Sequence, residues 1–211
     1  MADAEFFFDP VCPWAWLTSR WVTEVAEQRH YEIEWRSICL RMVNEQRDYE
    51  REFPQGYTRG HTIGQELLRV AAALGEAEGP AAVGRYYTAI GTALHRDRRR
   101  DELQPEGSVP GFLASLDLDL PAGMADAAHD DRWDDLLRAS TDEALARTGK
   151  DVGTPIITFA PPDGPSFFGP VISRIPRGRE AVELWDAVER VARFPGFAEL
   201  KRSIRERPVF D

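Results

Sequence analysis

Apolar and polar positions divide the chain into three stretches of different period. Glu5 to Asp9 is a short apolar run closed by Pro10, the pattern of a buried strand stopped by proline. From Pro13 onward Trp14, Leu17, Trp21 and Val25 recur at spacings of three and four, which predicts a helix to about Arg29 with one apolar face. Tyr31, Ile33 and Trp35 then alternate with Glu32, Glu34 and Arg36, so Tyr31 to Leu40 reads as a strand with one polar face. This β-α-β order favours two adjacent parallel strands.

The period then becomes helical for about a hundred residues. Leu67, Leu68, Ala71, Ala72 and Leu74 form one amphipathic segment, Val83, Tyr86, Tyr87, Ile90 and Leu94 a second, and Trp133, Leu136, Leu137, Ser140 and Ala144 a third. Gly-Pro signals at 79–80, 105–107, 110–111 and 121–123 separate them. Strand character returns at Pro155 to Phe159 and Ser166 to Ile172, with a turn through Pro161 to Gly164 between them. Val182, Trp185, Val188 and Val191 predict a last core helix, and a shorter one is expected from Pro195 to about Arg205. The expected architecture is α/β: residues 1–44 and 149–211 form a β-α-β … β-β-α domain, and 45–148 an inserted α-helical domain.

The chain has 211 residues, 43% hydrophobic and 29% charged, a balance that supports a real core. Its formal net charge of -10 argues against a nucleic-acid partner, which would need clustered cations on phosphates. The one dense basic run, Arg96 with Arg98, Arg99 and Arg100, is interrupted by Asp97 and reads as a solvated helix end or as a rim that attracts an anionic cosubstrate. No apolar stretch reaches membrane-span length, and the acidic start Met1 to Asp9 lacks the pattern of a secretory leader, so a cytoplasmic protein is expected. Two cysteines and four scattered histidines offer no metal-ligand spacing.

Cys12-Pro13-Trp14-Ala15 sits where a strand hands over to a helix. Free N–H groups and the helix dipole stabilise an anion there, so a thiolate forms more readily than at the reference value of about 8.5. Pro13 suits the first helical position because its missing N–H would have had no partner. Gly153-Thr154-Pro155-Ile156 is the second signal: a proline opening a strand, after an X-Pro bond where a cis peptide is accessible. In a thioredoxin fold such a loop lies against the reactive cysteine, and the backbone before the proline can pair with an extended thiol substrate.

The stretches FFFDPVCPWAWLTSRW, DVGTPIITF and FFGPVISRIPRG, with the terminal PVFD, resemble the DsbA-like, actinobacterial mycothiol-dependent nitroreductases over essentially the whole chain. An Arg-rich, Lys-poor composition, 24 Arg to two Lys, fits such a source. The resemblance implies a thioredoxin fold with an inserted helical domain, mycothiol as the thiol cosubstrate, an electrophilic or nitro-aromatic substrate and no metal. It implies Cys12 as the attacking cysteine, Pro13 and Trp14 as its motif neighbours, and Thr154-Pro155 as the cis-Pro loop. It also sets Asn44 and His95 where the family has polar residues near the cleft. A homodimer is left open.

The family motif is CPWC, and Ala15 stands where the resolving cysteine is expected. Alanine cannot expel a mixed disulfide, which closes the dithiol cycle. Cys39, at the end of the neighbouring strand, is either a substitute resolving thiol or a buried core thiol. Two alternatives therefore stand beside the redox enzyme. One is a catalyst similar to kappa-class glutathione transferases and chromene-carboxylate isomerases, which activates the thiol of a bound cosubstrate. The other is a binding module of the same fold without turnover.

Overall fold

Three consecutive phenylalanines, Phe6, Phe7 and Phe8, are all fully buried, so the first strand must be covered on both faces. A computed structural model describes residues 2–203 and 206–210. Strand β1 (Ala4–Phe8) leads through a short loop into α1 (Pro13–Arg29) and then β2 (Ile33–Ser37), which pairs parallel to β1. The chain returns to the sheet as β3 (Ile156–Phe159), antiparallel to β1, and β4 (Ser166–Phe168), antiparallel to β3. The sheet order is β2-β1-β3-β4. This is a mixed α/β, thioredoxin-type arrangement, as the alternation of periods predicts.

Between β2 and β3 the ordered elements are helical: α2 (Leu40–Val43), α3 (Tyr49–Glu52), α4 (Tyr57–Glu78), α5 (Pro80–Gly91), α6 (Val109–Ala114) and α7 (Asp134–Thr148), with tighter and wider helical turns among them. Helix α8 (Gly178–Ala192) follows β4. On one face of the sheet Phe6, Phe8, Ile157 and Phe159 belong to the main core with α1 and α8, where the Trp21 indole donates to Ala181 O at 2.8 Å. Helices α4 and α5 join that same core: Tyr87 stacks on Phe8 with ring centroids 3.9 Å apart. Two glycines permit the fit, because a Cβ at Gly84 or Gly91 would fall 2.6 Å from the Trp35 ring or 2.1 Å from Trp16.

The other face is smaller. Phe7, Ile38, Ile156 and Ala144 of α7 pack there. Beside them the buried Glu5 carboxylate bonds Arg36 and Arg147, and both arginines also engage Glu143. The polar face that the alternation gives the second strand is thus covered by a helix that carries matching charges.

Three expectations change in detail. The second hairpin strand ends at Phe168, since Pro170 follows at once and has no N–H for the ladder. Leu136 is half exposed, while α7 buries Leu137 and Ala144 as expected, with Thr141 beside them. The helix expected from Pro195 is absent among the described residues of that stretch, whose residues 204 and 205 lie outside them. Leu200 is 87% exposed, so it buries no surface that would stabilise a helix among the described residues of the stretch.

Candidate functional site

The site forms where the carboxyl ends of β1 and β2 meet the start of α4. Cys12 has extended backbone, φ -81 and ψ 113, and caps α1, with Pro13 at its first position. Its Sγ accepts the Ala15 N–H at 3.5 Å and donates to the Thr154 carbonyl at 3.5 Å. Thr154 is held in turn by its hydroxyl, which donates to Phe7 O at 2.8 Å, and the Thr154–Pro155 bond is cis. The loop that opens β3 therefore lies directly over the cysteine that opens α1.

Only 8% of Cys12 is exposed. Burial pushes its thiol up to about 11, the Asp9 charge adds to the rise, and the N–H groups of Ala15 and Trp14 offset only part of it. The expectation of an easily formed thiolate is thus corrected in this arrangement. Helix-start stabilisation is present, but desolvation of the anion outweighs it. Ala15 is fully buried behind Sγ, and Cys39 is fully buried at the start of α2, where burial pushes its thiol up to about 12. Both cysteines are free.

Asp9, read from sequence only as the end of a strand, is a central group. Fully buried, it accepts Val11 N–H at 3.1 Å and Leu40 N–H at 2.9 Å, tying the Cys12 loop to the chain after Cys39. Desolvation raises its carboxyl to about 7. Gly64 of α4 leaves room for it, since a Cβ there would lie 2.6 Å from Asp9 Oδ1.

His95, in a wide helical turn after α5, is buried against the same loop, with Nε2 2.8 Å from Pro10 O. Its ring lies between Trp16 and Phe210, with centroids 5.9 and 5.7 Å away. Burial holds it neutral, its pKa down at about 4. Trp14 is half-buried beside Cys12. Asn44 caps α2 and spends its amide on Leu40 O at 2.8 Å, a local structural bond.

Sequence reasoning missed His61, Tyr49 and Arg41, and named Arg100 only as part of the basic run. His61 is buried near the start of α4 with Nδ1 2.9 Å from the Tyr49 hydroxyl, and desolvation with the charges of Arg100 and Arg41 lowers it to about 4. The only sequence trace is the pair Gly60 and Gly64, glycines inside a helix that admit neighbours closely. No group of three or more potential metal ligands occurs among the described residues.

The mycothiol-dependent nitroreductase Rv2466c-like family matches residues 11–202. The uncharacterized protein Rv2286c of Mycobacterium tuberculosis (strain ATCC 25618 / H37Rv) is 31% identical over 207 residues, covering 96% of this chain and 82% of that protein. Among solved structures, a 2-hydroxychromene-2-carboxylate isomerase aligns with TM-score 0.53 at 14% identity, over 90% of this chain and 96% of that one. The cytosolic disulfide reductase DsbM from Pseudomonas aeruginosa aligns with TM-score 0.49 at 18% identity, over 77% and 86%. The isomerase likeness is one of fold. With the family match running from the Cys12 loop past α8, the chain belongs to the Rv2466c-like family of mycothiol-dependent nitroreductases.

Proposed function

We propose that this protein is a thiol oxidoreductase that uses mycothiol through a single reactive cysteine, Cys12. The observation that carries the reading is the contact of Cys12 Sγ with both the Ala15 N–H and the Thr154 carbonyl, in a chain whose family is mycothiol-dependent. An extended thiol substrate that donates an amide N–H to Thr154 O displaces the Cys12 S–H from that acceptor. The Ala15 N–H then remains to stabilise the thiolate, which attacks one sulfur of a mycothiol disulfide. A Cys12–mycothiol mixed disulfide forms and one mycothiol thiolate leaves. With Ala15 behind it, release needs a second thiol from solution, which restores Cys12 and leaves as the disulfide.

In turnover the Cys12 thiol and one mycothiol thiol supply the two electrons that convert a nitro-aromatic group to a nitroso group. Their two protons leave with one nitro oxygen as water, the two sulfurs join as the same mixed disulfide, and a second mycothiol thiol releases it as mycothiol disulfide. Pro13, Trp14, Pro155 and His95 shape the cleft in which this occurs, and mycothiol is a cosubstrate in it. Intact mass after treatment with mycothiol disulfide tests the reading: one adduct is expected on the protein and none on Cys12→Ser. An unmodified wild-type chain removes it.

A second reading draws on the same burial. A thiol held up at about 11 is a poor nucleophile at neutral pH, whereas an S–H donor suits a site that binds and activates the thiol of a cosubstrate. Under that reading Cys12→Ser retains thiol-dependent turnover; under the first it loses it.

A further inference from the structure

The basic run after α5 divides in the fold. Arg96 pairs with Asp97 at 3.0 Å and Arg99 with Glu102 at 2.8 Å, which makes them solvated surface pairs. Arg100 has no carboxylate within salt-bridge distance among the described residues, and its guanidinium lies against α4 at Gly60. A Cβ there would come 2.7 Å from Arg100 Nη2, so the glycine is what admits the cation. Gly60 lies one turn before Gly64, which packs against Asp9 at the foot of the Cys12 loop, so Arg100 stands about one helical turn from that loop, and its charge acts on Asp9, Cys12, His61 and His95.

Arg41, just beyond Cys39, is likewise without a carboxylate partner among the described residues. It lies 4.7 Å over the Tyr49 ring, and its charge also acts on His61. Nearby anions are engaged elsewhere: Glu52 bonds Arg47 at 2.7 Å, Asp48 caps α3, and both Asp9 oxygens take backbone N–H groups. Next to both lies His61, bonded to Tyr49 under Arg41 and adjacent to Gly60 under Arg100; it is 7% exposed, with Nδ1 spent on Tyr49 and no hydrogen-bond partner for Nε2 among the described residues. Arg100 is exposed and Arg41 half-buried, and two cations without a carboxylate at bonding distance beside a buried imidazole repel one another, a repulsion that an incoming anion relieves.

Tyr49, Phe53 and Tyr57 form a row beside this group, with successive ring centroids 4.8 and 5.7 Å apart, and the His61 ring stands edge-on to all three. Tyr57 remains 46% exposed, so the row ends in an open aromatic surface. We propose that Arg41 and Arg100 flank His61 to form a subsite for the carboxylate of an aromatic acid, whose ring lies on the Tyr49–Phe53–Tyr57 row. The proposal names a substrate class for the cleft and rests on Cys12 being its reactive centre, but the subsite is defined by binding and not by turnover.

Calorimetric titration with 4-nitrobenzoate and with the isosteric neutral amide 4-nitrobenzamide tests it without any redox step, so failure of the thiol chemistry leaves the measurement standing. The wild-type protein should bind the acid about tenfold more tightly than the amide, as a charge-assisted bond to guanidinium implies. The preference should shrink at high salt. Arg100→Gln and Arg41→Gln should each lower acid affinity severalfold and leave the amide unchanged. Gly60→Ala, which displaces Arg100 without changing charge, should act in the same direction. Arg96→Gln, which removes one cation from the same run, should leave the preference intact. Equal affinity for acid and amide in the wild type, no binding of either, a preference that survives in both site variants, or an equal loss in Arg96→Gln each overturns the proposal.

Discussion

The ring of Phe210 lies 5.7 Å from the His95 imidazole, nearly parallel to it, and so the end of the chain covers the histidine that grips the loop before Cys12. Val209 N–H donates to Ser173 O at 2.8 Å and fixes this return. Phe210→Ala should cost about 1–2 kcal/mol of stability, the value of a partly buried aromatic. It should also raise the rate of Cys12 alkylation severalfold, because the loop loses its cover. Iodoacetamide labelling beside thermal unfolding checks both; a stability loss with unchanged labelling separates the terminus from the site.

Cys12 itself should label with a midpoint near 11 in a Cys39→Ser background, since burial pushes it up and two backbone N–H groups with the Arg100 charge offset only part of the rise. The pH dependence of alkylation gives that midpoint directly. A value below the reference of about 8.5 would mean that the helix start outweighs desolvation.

Stability should depend on pH through three buried groups. Asp9 is raised from 3.8 to about 7, so its contribution is complete below the unfolded value and is lost as pH rises through the folded one. His61 and His95 are lowered from 6.5 to about 4, so theirs is complete above the unfolded value and is lost as pH falls toward the folded one. Between about pH 5 and 6, unfolding takes up two protons on the histidines and gives up one from Asp9, and stability rises by about 1.4 kcal/mol per pH unit for the one net proton. Asp9→Asn should about double that slope, and His95→Phe should flatten it. Urea midpoints across the window decide; parallel slopes in all three proteins would remove the assignment.

Ala15→Cys should convert a persistent mixed disulfide at Cys12 into one that is released as Cys12 forms an internal bridge with the introduced thiol. Position 15 is fully buried directly behind Sγ, and its N–H already reaches the sulfur at 3.5 Å. A thiol there attacks the adduct from within the helix turn. Non-reducing mass spectrometry over time reads both species, and identical release from the two proteins would assign resolution to another thiol.

Most of the frame is legible in the sequence because it rests on local period. The Trp14, Leu17, Trp21 spacing and the alternation of Tyr31, Ile33 and Trp35 each specify an element without knowledge of the rest. Cys12 and Thr154–Pro155 are legible for a different reason, as they mark the two places where the chain enters a helix or a strand. What the sequence conceals is depth. Nothing around Cys12 announces that packing leaves it 8% exposed, so its acidity reads with the wrong sign. Asp9, His61, Arg41 and Arg100 lie tens of residues apart and meet only because Gly60 and Gly64 let α4 approach, a relation without a periodic signature. Leu200 fails the other way: its spacing suits a helix, but no neighbour covers it.

Because Tyr87 stacks on Phe8, one continuous core runs from the sheet through α4 and α5, and the helices between β2 and β3 share it with the strands. A chain joined in this way loses its parts together. Whatever occupies the cleft is therefore felt by both halves at once, and a ligand that binds there protects the whole chain from heat as a single unit.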